Sequence, residues 1–168
     1  MSVLYGLEFF SFYSWYGDKW EDLQEMKYIR EFEDDIRVYY ANILYTNYDY
    51  ASLEQQIVFY DPDVVALVEF SNNHADAMKD FFQERYPYVN RNSWDAKLAG
   101  DVVFSKYPLV EVSNEYPQEV GRWKYSYVIL DVPGEANIYF YLVHTSAPVS
   151  VYNFEMRNKQ LHKIAKEF

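Results

Sequence analysis

Apolar positions along this chain come in blocks whose period switches between two and about 3.6 residues. Residues 36–44, IRVYYANIL, are rich in β-branched and aromatic strand formers and predict a first strand. Asn47-Tyr48-Asp49 supplies turn and cap residues. Leu53, Gln56, Ile57 and Tyr60 then keep helical spacing, which predicts a helix over residues 50–60. Asp61-Pro62-Asp63 breaks it. Residues 63–70, DVVALVEF, follow as a strand apolar on both faces, the pattern of a central strand in a covered sheet. Together these blocks form a strand–helix–strand unit, which takes a right-handed crossover if its strands are parallel.

Ser71 and Asn72 are suited to cap a second helix. Ala77, Met78, Phe81 and Phe82 recur in it at helical spacing as far as Arg85, and Tyr86-Pro87-Tyr88 ends it. Residues 90–99 read as a polar loop. From Gly100 the chain turns mostly β. A strand over 101–105 stops at Lys106-Tyr107-Pro108, and a further one is expected at 109–112. Residues 124–132 and 136–143 flank Pro133-Gly134 and predict a hairpin. Residues 149–168 close the chain as a helix, with Phe154, Leu161 and Ile164 at helical spacing. No repeat or low-complexity tract interrupts this order. The fold class it implies is α/β: mixed β-sheets packed as an α/β sandwich flanked by helices.

Residues 1–35 have a different character from the domain expected over 36–168. Residues 3–16 are apolar and aromatic but contain Glu8, and they are too short to span a bilayer. No basic region precedes them, which argues against a secretory signal. Two readings stay open: a short element packed on the domain, or the tail of a membrane segment that begins earlier. Over 18–35, eight Asp and Glu outnumber Lys19, Lys27 and Arg30, the composition of a solvated helix or linker.

Composition narrows the function. A chain of 168 residues suits one domain with a sizeable core. Its 15 basic against 26 acidic residues leave a formal charge of −11 with no basic stripe, which argues against tight sequence-independent binding of nucleic acid. A bound cation would supply positive charge locally, so acidity does not exclude a phosphate substrate. With no cysteine, disulfides, thiol catalysis and zinc–thiolate sites are ruled out.

The candidate chemistry lies at strand tips. The apolar run 136–143 ends in His144-Thr145-Ser146-Ala147-Pro148, so a rigid strand holds an imidazole where a turn exposes it. The run 63–70 ends similarly, with Glu69 as its carboxylate, and the first strand carries Asn42 near its end. Each residue has a plain structural alternative. Glu69 suits a solvent-facing strand end, His144 a hydrogen-bonded turn and Asn42 an ordinary turn position. Asp101 reads as structural, Arg157 as a partner for one of the many carboxylates, and Tyr125 and Tyr127 as packing residues.

Four pieces taken in order carry more than any one alone. They are Tyr40-Ala41-Asn42-Ile43-Leu44, then the Pro62-Asp63 turn and strand ending at Glu69, then Gly100 to Ser105-Lys106-Tyr107-Pro108-Leu109, and last His144-Thr145-Ser146-Ala147-Pro148 followed by Arg157-Asn158 and Gln160-Leu161. This order, over roughly residues 36–165, resembles the endonuclease/exonuclease/phosphatase superfamily that includes pancreatic-type deoxyribonuclease. The spacing as a whole is most similar to bacterial members that often carry N-terminal membrane helices.

The resemblance implies two facing sheets with flanking helices and metal-dependent hydrolysis of a phosphomonoester or phosphodiester. It makes Glu69 a ligand for Mg²⁺ (or Mn²⁺). It gives Asn42 the task of holding that ligand or the phosphate, and His144 contact with the scissile phosphate or proton transfer. It also implies a strand ending in Gly-Asp-x-Asn and a Ser-Asp-His-like motif, which these residues do not contain. His74 and His162 sit in helical patterns and are no substitute. The expectation is therefore a phosphoesterase domain incomplete at its C-terminal side and weak or inactive alone. The alternative is a non-catalytic fragment or binding module that retains the fold and self-associates through exposed sheet. Substrate and membrane attachment stay open, and a membrane-associated or extracytoplasmic location follows from the resemblance alone.

Overall fold

The computed structural model describes residues 36–90, 100–115, 125–135, 137–145 and 147–167. The chain divides into two units at Lys106 and Tyr107. The expected 1–35 segment and most of the 90–99 loop lie outside the described residues.

The first unit is a four-stranded sheet with two helices. In chain order it comprises β1 (Val38–Asn42), α1 (Tyr50–Tyr60), β2 (Val64–Phe70), α2 (Asn72–Arg85), β3 (Tyr88–Val89) and β4 (Gly100–Ser105). The spatial order is β1-β2-β4-β3. β1 runs parallel to β2, with Val38 opposite Val64 and Asn42 opposite Val68. β4 is antiparallel to both β2 and β3. The parallel pairing, with α1 as its connection, brings the C-terminal ends of β1 and β2 side by side.

Local chemistry sets the boundaries. The Asp49 carboxylate caps α1 by accepting from the Ser52 amide at 3.1 Å. Hydrogen bonding from the Ser52 side chain, and then from its amide, lowers the Asp49 pKa. Asp61 ends the helix in the left-handed region at φ 43°, its amide donating to the Ile57 carbonyl. β2 begins at a polar clasp. The Asp63 carboxylate accepts from the Arg37 amide at 2.9 Å and lies 3.7 Å from the Lys106 ammonium. The Tyr86 hydroxyl donates to the Pro62 carbonyl at 3.1 Å. Burial, with the charges of Asp61 and Asp63, pushes that phenol well above its ordinary pKa.

The core fills the space between this sheet and its helices. Val65, Leu67 and Phe70 of β2 and Val102 and Phe104 of β4 meet Leu53 and Ile57 of α1 and Met78 and Phe82 of α2. Phe82 stacks on Phe104 with centroids 3.8 Å apart, and Phe70 stands nearly edge-on to both rings. Val64, Ala66 and Val68, on the other face of β2, are buried as well. The strand is thus buried on both faces, as its apolar run predicts.

The second unit is an antiparallel sheet, β5 (Leu109–Glu115), β6 (Tyr125–Leu130) and β7 (Ile138–Val143), followed by α3 (Val151–Glu167). β6 and β7 form the expected hairpin, with Leu130 opposite Ile138, and Gly134 supplies φ +85° in its turn. The Ser150 hydroxyl caps α3 by accepting from the Asn153 amide at 3.1 Å.

Among the described residues, two sheets and three helices match the α/β class read from the sequence. Several details differ. β3 was not expected, because two residues carry no periodicity. β5 continues through the polar Ser113-Asn114-Glu115, whose backbone pairs with β6. In α3, Phe154 and Leu161 are 48% and 46% exposed, whereas Gln160 is buried at 6%. The less exposed positions include Asn153, Met156, Arg157 and Gln160, so several polar residues occupy positions the apolar pattern assigns to hydrophobic ones. No helix among the described residues is long and apolar enough to cross a membrane.

Candidate active site at the ends of β1 and β2

An interruption in β2 creates the site. Leu67 pairs with Val102, but Phe70 pairs with Gly100, so β2 holds one residue more than β4 across this stretch. Glu69 is at φ +63°, in the left-handed region within a strand otherwise extended. A residue with a Cβ adopts that conformation at a cost of about 1–2 kcal/mol, and bulges of this kind re-aim side chains. The effect follows from parity. Leu67 and Phe70 are three apart, and regular alternation would send them to opposite faces. Both instead belong to one core cluster. The bulge returns Phe70 to the core and turns Glu69 out, leaving its side chain half-buried.

The chain leaving β1 meets this carboxylate. Asn42 Nδ2 donates to Glu69 Oε1 at 3.0 Å, and the Tyr45 amide donates to Oε2 at 3.3 Å. Asn42 Oδ1 accepts from the Leu44 amide at 3.1 Å, folding the turn back on itself. Leu44 takes φ +59°, a second left-handed residue with a side chain. The Ile43 amide donates to the Val68 carbonyl at 3.1 Å and the Asn47 amide to the Leu44 carbonyl at 2.8 Å, so both ends of the turn are tied. Each Glu69 oxygen thus has a fixed donor. Two strained residues lie within this one cluster, the kind of place where strain marks function.

The sequence-derived site residues distribute as follows. Asn42 and Glu69 meet directly, on neighbouring parallel strands. His144 follows β7 in the second unit, at the exit of its strand as expected, and is half-buried. Ser146 lies outside the described residues. Asp101 is buried in β4, and Tyr40, raised in pKa by burial and then by the Asp101 charge, is on β1. Among the described residues no three His, Cys, Asp or Glu side chains gather closely enough to hold an ion. This donor set fits a hard ion that keeps most of its waters and takes one carboxylate, rather than an all-protein cage.

The sequence profile of the endonuclease/exonuclease/phosphatase family matches residues 39–164. The chain belongs to that family. No curated protein matches it in sequence. Among solved structures, it is similar to an endonuclease/exonuclease/phosphatase from Beutenbergia cavernae, with a TM-score of 0.60 and 22% identity over 79% of this chain and 44% of that one. It is also similar to a humanized D. rerio TDP2, with a TM-score of 0.64 and 13% identity over 79% and 55%. A truncated Caenorhabditis elegans TDP2 gives 0.62 and 14% over 79% and 54%. At these identities the likeness is one of fold. The chain spans about half the length of these three proteins. The family's fold is that of metal-dependent phosphoesterases.

Three parts of the site carried no mark in the sequence. The Tyr45 contribution is a backbone amide, which any residue but proline provides. The left-handed turns at Leu44 and Glu69 fall on residue types that rarely adopt them. His74, set aside as a helical residue, is buried behind the site with 1% exposure.

Proposed function

We propose that this chain is part of a divalent-metal-dependent phosphoesterase, in which Glu69 is a metal ligand and the bonds from Asn42 and Tyr45 fix its carboxylate. The observation that supports this reading is the Glu69 bulge. A strand takes up backbone strain to turn one carboxylate outward, and two donors from the neighbouring strand and its turn grip it. A divalent ion such as Mg²⁺ or Mn²⁺ held by Glu69 would supply the positive charge that offsets charge on the phosphoryl oxygens. Asn42 keeps one Glu69 oxygen in place, and its own carbonyl oxygen is engaged by Leu44, so it serves as the holder of the ligand. For His144 we keep the role the resemblance implies, contact with the scissile phosphate or transfer of a proton.

The substrate class is a phosphoester. The formal charge of −11 favours a small or lipid phosphoester over long nucleic acid. The test is hydrolysis of bis(p-nitrophenyl) phosphate and of plasmid DNA by the purified chain, with and without Mg²⁺. Glu69→Ala and His144→Ala serve as paired variants, and Mn²⁺ binding is followed by electron paramagnetic resonance. Expected is Mn²⁺ binding that Glu69→Ala abolishes, with Mg²⁺-dependent turnover of the small diester that is weak in the wild-type chain and lost in both variants. Folded protein that binds no Mn²⁺ and shows no turnover above the Glu69→Ala background would replace this reading with that of a binding module.

A further inference from the structure

Exposed apolar side chains are not spread evenly over this chain. Among the described residues the five most exposed large ones, 61% to 82% accessible, are Tyr45, Tyr48, Val149, Val151 and Tyr152. Tyr45 and Tyr48 lie on the turn that follows Asn42. The other three lie between His144 and the second residue of α3. Both of these strand ends, each in its own unit, thus run directly into the most exposed apolar residues. Apolar side chains scattered singly over a surface are ordinary, whereas a concentration beside candidate site residues marks a binding surface.

Hydrogen bonds hold the backbone of both segments. The Asn47 amide donates to the Leu44 carbonyl at 2.8 Å and the Asp49 amide to Asn47 Oδ1 at 3.0 Å. In the second unit the Val149 amide donates to the Ala147 carbonyl and the Phe154 amide to the Ser150 carbonyl, both at 2.8 Å. Leu44 points the same way. It is 53% exposed at φ +59°, a conformation that Gly or Asn adopts more readily. Neither the local backbone nor the core calls for a leucine there.

Charge selects the occupant. Residues 43–48 and 145–153 contain no charged residue, in a chain of which 24% is charged. Nucleic acid is held by clustered Lys and Arg, and these segments have none. An anionic membrane likewise attracts basic segments and opposes a chain with a formal charge of −11. Tyrosine and branched aliphatic side chains without charge suit the boundary of an uncharged lipid layer, where a tyrosine buries its ring and keeps its hydroxyl in water.

We propose that the turn after β1 and the segment after β7 are docking surfaces for a zwitterionic phospholipid layer, which makes the phosphoester presented to Glu69 a lipid one. The substrate part of this inference rests on the phosphoesterase reading, and the docking part does not.

The experiment measures flotation of the purified chain with phosphatidylcholine vesicles, without metal, and with vesicles of equal parts phosphatidylcholine and phosphatidylglycerol. One variant carries Tyr45→Ser and Tyr48→Ser, and another carries Val149→Ser, Val151→Ser and Tyr152→Ser. A control carries Val58→Ser and Phe59→Ser, also exposed but on α1. Expected is binding to the neutral vesicles that is weaker on the anionic ones. It should fall at least about tenfold in each variant and stay within about twofold of wild type in the control. Leu44→Asn suits φ +59°, so it should keep or gain stability while losing vesicle affinity, which a purely structural leucine would not do. If the tyrosine pair fails to fold, Leu44→Asn decides for that turn, and Tyr152→Ser alone decides for the other segment. Folded wild type that does not float with neutral vesicles, or a control that falls as far as the variants, would overturn the docking surfaces. So would variants that keep vesicle binding but turn a dimer into a monomer in sedimentation, which assigns these residues to a second copy. A chain that binds vesicles but no Mn²⁺ would instead overturn the phosphoesterase reading, and with it the lipid substrate.

Discussion

Glu69 invites a comparison of two truncations. Glu69→Ala and Glu69→Gly both delete the carboxylate, and with it the bonds from Asn42 and Tyr45, so those losses cancel between the variants. What differs is the backbone at φ +63°. Alanine bears about 1–2 kcal/mol of steric cost there, because its Cβ crowds the following carbonyl. Glycine avoids that cost but loses about 0.5–1 kcal/mol through extra freedom in the unfolded chain. The net expectation is that Glu69→Gly is the more stable variant by roughly 0.5–1 kcal/mol. Three residues away, the order should reverse. Ala66 is fully buried in regular strand, and Ala66→Gly should destabilise by at least about 0.5–1 kcal/mol. Urea denaturation with unchanged slopes measures both differences. If Glu69→Ala equals or exceeds Glu69→Gly in stability, the backbone at this position carries no strain, and the argument from the bulge fails.

Two further outcomes follow from the same core. Burial lowers the His74 pKa below its ordinary 6.5, so the unfolded chain takes up the proton first as pH falls. Stability from neutral His74 is full above about 6.5 and declines as pH drops from there toward the depressed folded value; equilibrium unfolding from about pH 7.5 to about pH 5 should show this slope in wild type, reduced in His74→Gln. Phe82→Ala removes the ring stacked at 3.8 Å on Phe104 and edge-on to Phe70, and should cost about 3–5 kcal/mol in unfolding free energy measured by denaturant.

Much of this fold was legible because its elements are strongly periodic. The helix over 50–60, the doubly buried β2 and the hairpin around Pro133-Gly134 each follow from spacing and punctuation. Asn42 and Glu69 were legible as strand-end residues, and their meeting follows from parallel pairing of β1 and β2. Other features had no sequence signal. A one-residue bulge leaves an apolar run looking like an uninterrupted strand, and the clue, Leu67 and Phe70 in one core, needs the register to be known. His74 falls in the helical pattern of α2, which says nothing of a ring wedged between Tyr50 and Phe70. In α3 the apolar spacing misleads, since Gln160 is buried while Phe154 and Leu161 stay largely exposed.

The grip on Glu69 also bears on entropy. A glutamate free to sample its rotamers gives up about 1.5–2 kcal/mol when a contact fixes it. Here Asn42 and Tyr45 fix both oxygens as the chain folds, so that ordering loss falls on folding rather than on binding. Any cation arriving at this carboxylate meets a single geometry and is spared a penalty worth roughly tenfold or more in affinity. Were Glu69 to hold a cation as proposed, this rigidity would take over part of the work that additional ligands do elsewhere.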